Sequence, residues 1–130
     1  MNNTLLIGKL IYATIHGDQT LATYIGERIY PIVAPADTLF PFVVFTRSNA
    51  YASACSKDAW IEDKASFQIT VLSQTYDEGA TIANGIRDLF ENCIISNNDL
   101  RLSNIRMTSC SEAYGDDTFS QTLYFECNAD

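Results

Sequence analysis

Residues 65–90 read ASFQITVLSQTYDEGATIANGIRDLF, and the period of the apolar residues changes in the middle of this stretch. From Ala65 to Ser73, Phe67, Ile69 and Val71 alternate with Ser66, Gln68 and Thr70. A period of two puts one face of a strand in a core and the other toward solvent. Thr75-Tyr76-Asp77-Glu78 then has the form of a capping box, in which a threonine oxygen satisfies a free amide at a helix start. Beyond it Ile82, Ala83, Ile86, Leu89 and Phe90 share one stripe at helical spacing. A half-exposed strand that leads into an amphipathic helix predicts a helix lying on a sheet, the α+β arrangement. Gly79 and Gly85 weaken this helix by up to about 1 kcal/mol each relative to Ala, so either is expected to mark close packing against the sheet.

Toward the N-terminus, Phe42-Val43-Val44-Phe45 is a continuous apolar run after Pro41, as in a strand covered on both faces. Arg28–Val33 reads as extended, and Pro31 confines it to an edge or an irregular strand. Leu6, Ile7, Leu10, Ile11 and Ile15 recur at helical spacing behind Thr4, a predicted N-cap, and His16-Gly17-Asp18 ends that helix. A short helical turn is expected over Asp18–Tyr24, stopping at Gly26. Residues Thr46 to Lys64 are rich in Ser, Ala and Asn and read as a long hairpin connection or flexible arm. Toward the C-terminus, Asn97-Asn98-Asp99 is a turn. Leu100–Ala113 is extended but changes phase: Leu100 and Leu102 share a parity that Ile105 and Met107 do not. A bulge near Ser103-Asn104 reconciles them. Gly115-Asp116-Asp117 makes a tight turn. Thr118–Asn128 then carries Phe119, Leu123, Phe125 and Cys127 on one face, with Gln121 the exception. The expected order is α-β-β-β-α-β-β in a single domain of residues 1–130, a mostly antiparallel sheet with two main helices on one face.

Leu, Ile, Val and Phe make up about a quarter of the 130 residues, enough for a packed core. The net charge is −8, and the eight basic residues are scattered from Lys9 to Arg106 without a run. Nucleic acids and anionic membranes are bound through clustered Lys and Arg, so neither tight nucleic-acid binding nor a membrane partner is expected. Such acidity serves solubility, or an acidic surface past which DNA slides without sticking. The segment Leu5–Ile15 is apolar but interrupted by Lys9. It lacks a preceding basic residue and a cleavage site, so it does not read as a signal peptide, and it is too short to span a bilayer. A cytoplasmic origin with reduced thiols is expected for Cys55, Cys93, Cys110 and Cys127, no two of which have metal-ligand spacing.

The residues that carry chemistry are few. His16 is the only histidine, so a Ser-His-Asp or Cys-His centre would have to use it. Its place at a helix end is explained by the negative end of the helix dipole. Glu62/Asp63, Asp77/Glu78 and Asp116/Asp117 are paired carboxylates, but they fall in predicted turns or at a helix start, where local hydrogen bonds account for them. No glycine-rich phosphate loop and no calcium-loop pattern is present. No catalytic residue, cofactor or metal is therefore expected. Tyr51 and Trp60 stand in the polar 46–64 segment outside any core pattern, and residues of these types anchor protein interfaces. They are the candidate subunit-interface residues, a satellite cluster pinning the arm to its own domain being the alternative.

The chain resembles the tail-completion, or tail-terminator, proteins of long-tailed bacteriophages. The resemblance rests on Arg28-Ile29-Tyr30-Pro31 with Ala34-Pro35, on Phe40-Pro41-Phe42-Val43-Val44-Phe45, on Phe67-Gln68-Ile69-Thr70-Val71, and on Thr75-Tyr76-Asp77-Glu78 with the helix to Phe90. It covers about residues 28 to 90, with the remaining elements agreeing in layout. It implies an oligomeric ring, usually hexameric, that caps the tail tube and meets the head-side connector. It implies no enzyme activity and no cofactor, with assembly in the host bacterial cytoplasm and a final place in the virion tail. A peptide- or protein-binding module with an exposed sheet edge and a small enzyme built on His16 and a carboxylate are the alternatives from other classes.

Overall fold

The computed structural model describes residues 3–52 and 63–129. A 3-10 turn, Thr4–Leu6, leads into α1 (Ile7–His16) and α2 (Gln19–Ile25); β1 (Ile29–Pro31), β2 (Phe42–Ala52) and β3 (Asp63–Ser73) follow. After α3 (Tyr76–Phe90) come β4 (Ile95–Ser96), β5 (Arg101–Gly115) and β6 (Thr118–Ala129). The strands form one six-stranded sheet in the order β1-β2-β3-β6-β5-β4. The α+β class stands, with three corrections to the expected order. A third helix, α2, is regular; β4 is an added short strand; and the sheet is mixed, because β1 runs parallel to β2 while the other pairs are antiparallel. Arg28 fixes the parallel return: its Nε donates to Pro41 O at 2.9 Å and its Nη2 to Tyr24 O at 3.0 Å. Its carbonyl accepts from Val43 N at 3.0 Å. Gly26, at φ 56°, ends α2 in a backbone conformation few side chains tolerate.

The helices lie on one face of the sheet. Along β3 every odd residue from Asp63 to Ser73 is buried and every even one is half-buried, as the alternation predicts. Phe67, Phe90 and Phe125 form the centre, with ring centroids 5.2–5.7 Å apart. Thr75 caps α3 through Oγ1, which accepts from Glu78 N at 3.3 Å. Of the α3 stripe, Ile82, Ala83, Ile86 and Phe90 are buried. Leu89, expected among the main contacts, is only half-buried, because it stands one residue off the line that faces the sheet. Glu91 ties the helix end to β5, accepting from Arg87 Nε at 2.8 Å and from Met107 N at 3.0 Å. The Arg87 bond, then the Met107 amide, holds its carboxyl below the usual range.

The register of β5 on β6 shifts between Ser103 and Arg106 and again between Met107 and Ser109. Asn104 sits at φ 52° there, and the shift brings Leu102 and Ile105 into the same core, as the change of phase required. Asp116 and Asp117, at φ 53° and 59°, close the β5–β6 hairpin. Two left-handed central residues suit the right-handed twist of the strands. Thr4 is not the expected N-cap. It is buried, and its Oγ1 donates to Asp63 Oδ2 at 2.6 Å. Asp63, read with Glu62 as part of a solvated turn, is instead a buried residue opening β3. Burial of both groups is possible because they satisfy one another.

Candidate functional site

Tyr51 lies on β2 opposite Lys64, and Trp60 falls outside the described residues. Thr46–Ala52 and Asp63–Lys64, assigned to the arm from composition, are strand, with a register shift between Arg47 and Asn49. Ladder pairing between β2 and β3 holds them there despite their weak apolar pattern.

His16 ends α1, with Nε2 3.7 Å from Glu27 Oε1 and its ring stacked on Tyr12 at 5.5 Å. Both partners of this pair are largely exposed, so the surroundings are those of a surface residue at a helix end. Asp77 and Glu78 occupy the first turn of α3, where carboxylates favour the positive dipole end. Among the described residues no group of three or more His, Cys, Asp or Glu could hold a metal ion. Among the same residues no helix is long and apolar enough to cross a membrane.

Two surfaces stand out on opposite edges of the sheet. The first is an apolar groove of about 430 Å³ between the N-terminal turn, α1 and the β1–β2 edge, lined by Leu5, Leu6, Gly8, Lys9, Tyr12, Pro31 and Phe45. It continues along Ile32, Thr46 and Arg47. Leu5 and Ile32 are 70% and 73% exposed beside it. Ile32 is held at φ 67°, with Val33 N bonded back to Pro31 O at 2.6 Å and Ile32 N to Phe45 O at 2.8 Å. A β-branched residue in the left-handed region is an outlier, and such strain collects at functional surfaces. Sequence reading missed this groove. Its available signals were Leu5, which falls off the α1 stripe, and Ile32-Val33, apolar residues that follow Pro31 outside any regular element.

The second surface is the end of the β5–β6 hairpin with the start of α3. Tyr114 packs tilted against Phe119 with ring centroids 4.6 Å apart, and Tyr76 meets Phe119 edge-on at 6.0 Å. Tyr76 Oη donates to Glu112 Oε2 at 2.8 Å, and the Glu112 carboxylate raises the tyrosine pKa by bond and charge. Glu112, Asp116 and Asp117 make this end acidic around an exposed tyrosine.

The sheet also offers open strand edges. β1 pairs with β2 only from Val43 to Phe45. Among the described residues nothing pairs with that side of β2 farther along. β4 pairs with β5 only at Arg101 and Leu102, and Asn92 N and Glu91 Oε2 engage Ile105 O and Met107 N, so that among the described residues β5 is open on this side only beyond Met107. Unpaired amides and carbonyls of this kind are templates for another chain.

The fold recurs in solved structures. A chain described as from the virion of a native gene transfer agent particle superposes with a TM-score of 0.73 at 16% identity, covering 93% of this chain and 92% of that one. A second solved chain gives a TM-score of 0.66 at 13% identity, covering 98% and 96%. At these identities the likeness is one of fold. A comparison with curated protein sequences returned no match. The model of the family described as tail completion protein gp17 matches residues 9–127, nearly the whole chain, and the protein belongs to that family.

Proposed function

We propose that this protein completes a phage-type tail by assembling into a ring, usually of six subunits, that caps the tail tube and joins it to the head-side connector. Its family membership, over residues 9–127, carries the reading and makes it a structural tail component. The arrangement of the surface supports the finer statement. A closed ring needs two different patches on each subunit that fit one another, and the apolar groove and the acidic hairpin end lie on opposite edges of the sheet. A net charge of −8 suits a wall past which DNA moves without being held. Assembly would take place in the host bacterial cytoplasm, with the tail tube protein and the head-side connector as partners.

The open β2 and β5 edges also favour a second reading, capture of an extended peptide by strand addition. Disrupting the gene and imaging the particles by negative stain separates the two. Tails of irregular length and heads without tails are expected for the ring reading, together with rings of the purified protein at tube ends. Particles of normal tail length and infectivity without the gene would overturn it.

A further inference from the structure

We propose that the groove beside α1 is the socket for the β5–β6 hairpin end of a second copy of this chain, the contact that closes the ring. The inference rests on the ring reading above and names its interface.

Charge and surface character match across the two surfaces. The groove is apolar at Leu5, Tyr12, Pro31 and Phe45, and its rim carries Lys9 and Arg47, two of the eight basic residues of the chain. The hairpin end offers Tyr114, 60% exposed, between Glu112 and the Asp116-Asp117 turn. An aromatic anchor entering an apolar pocket, with opposite charges at the rim, is the usual anatomy of an energetic contact. Complementary charge also fixes orientation and rejects the wrong pairing of groove with groove or tip with tip. The two surfaces cannot meet within one subunit, because β3 and β6 lie between the β1–β2 edge and β5. The contact is therefore heterologous, the kind that propagates from copy to copy until it closes. The strained turn at Ile32 adds an independent observation. It fixes an exposed isoleucine at the rim of the groove, and strain of this kind collects at functional surfaces.

The test uses two full-length variants, each altered on one surface. Lys9→Glu with Arg47→Glu reverses the groove rim. Tyr114→Ala with Asp116→Asn and Asp117→Gly removes the anchor and the tip charge, while giving the turn the residues it prefers. Circular dichroism and thermal unfolding confirm that each remains folded. Native mass spectrometry and sedimentation over a concentration series, repeated with tail tubes, measure assembly. Each variant alone should need at least about tenfold more protein than wild type to assemble, since like charges now face each other or the anchor is gone. Mixed one to one, they should stop at a heterodimer, because one intact tip can enter one intact groove and no further contact is possible. If the wild-type chain forms rings and either variant alone forms the same rings at the same concentration, the socket assignment is overturned and the ring reading stands. A wild-type chain that stays monomeric, even with tail tubes, overturns both.

Discussion

Gly79 sets two forces against each other, and Gly79→Ala decides between them. Considered along the helix alone, replacing a glycine inside α3 by alanine should stabilise the protein by up to about 1 kcal/mol. The fold predicts the opposite sign. A Cβ at position 79 would collide with Ser73 Oγ. Ser73 is fully buried, and its hydroxyl donates to Thr75 O at 2.8 Å, so turning it away breaks a buried bond. Overpacking of this kind costs roughly 1–3 kcal/mol, and losing the buried hydroxyl bond adds roughly 1–3 kcal/mol. Only part of both falls due after relaxation, so a net loss of about 1–3 kcal/mol is expected once the helix gain is subtracted. Ser73→Ala removes the colliding atom. Ser73 Cβ stands 3.5 Å from the added carbon, an ordinary contact, and Thr75 O keeps the Gly79 amide as a donor at 3.2 Å. In that background Gly79→Ala should be neutral or stabilising. Urea unfolding of wild type, both single variants and the double variant gives the coupling energy, expected at about 2 kcal/mol. A wild-type protein made more stable by Gly79→Ala would refute the packing argument, as would effects of the two substitutions that simply add.

Phe90→Ala should cost about 3–5 kcal/mol, the usual loss for a buried phenylalanine, whereas half-buried Leu89→Ala should cost less than about 2 kcal/mol by the same scale. Denaturation midpoints of the two variants check the facing of α3, and equal losses would mean the helix is turned. Burial first, then the Glu126 charge, pushes the Cys127 thiol up to about 12. The unfolded thiol ionises first, so the stability it lends is complete below its unfolded pKa of about 8.5 and is lost as pH rises toward the folded value, by about 1.4 kcal/mol per unit. Unfolding curves between about pH 8 and 10 should therefore slope less in Cys127→Ala than in wild type, and Cys127 should resist thiol reagents that label exposed Cys110. Ile32→Asn should raise monomer stability by about 1 kcal/mol by relieving the left-handed isoleucine, while weakening assembly in sedimentation. A deletion spanning Asn49–Asp58 would cut β2, whose Asn49, Ala50 and Tyr51 pair with Ser66, Ala65 and Lys64. Replacing residues 53–62 by a short turn is the cleaner change. If Tyr51 and Trp60 anchor a neighbour, that replacement and Trp60→Ala should preserve cooperative unfolding and lower oligomer mass in light scattering.

The local features were legible in the order of residues because each rests on neighbours a few positions apart. The alternation of Phe67, Ile69 and Val71, the Thr75 cap, the bulge at Ser103-Asn104 and the turn at Asp116-Asp117 need only the geometry of one strand, one helix end or one hairpin. The four family-bearing stretches, including Phe40–Phe45, were readable for the same reason. What required the tertiary structure depends on groups far apart in the chain. The direction of β1 is one case: the connection of residues 32–41 is short, as in a hairpin, and the parallel return depends on Arg28 reaching Pro41 and Tyr24. Thr4 and Asp63 satisfy each other across 59 positions, which no local pattern announces. The difference between Leu89 and Phe90 is a matter of how α3 is turned on the sheet, about 100° per residue on a helix of 3.6 residues per turn. The groove is the clearest example. Leu5, Ile32 and Phe45 belong to three separate segments, and only the packing of α1 beside β1 and β2 makes one surface of them.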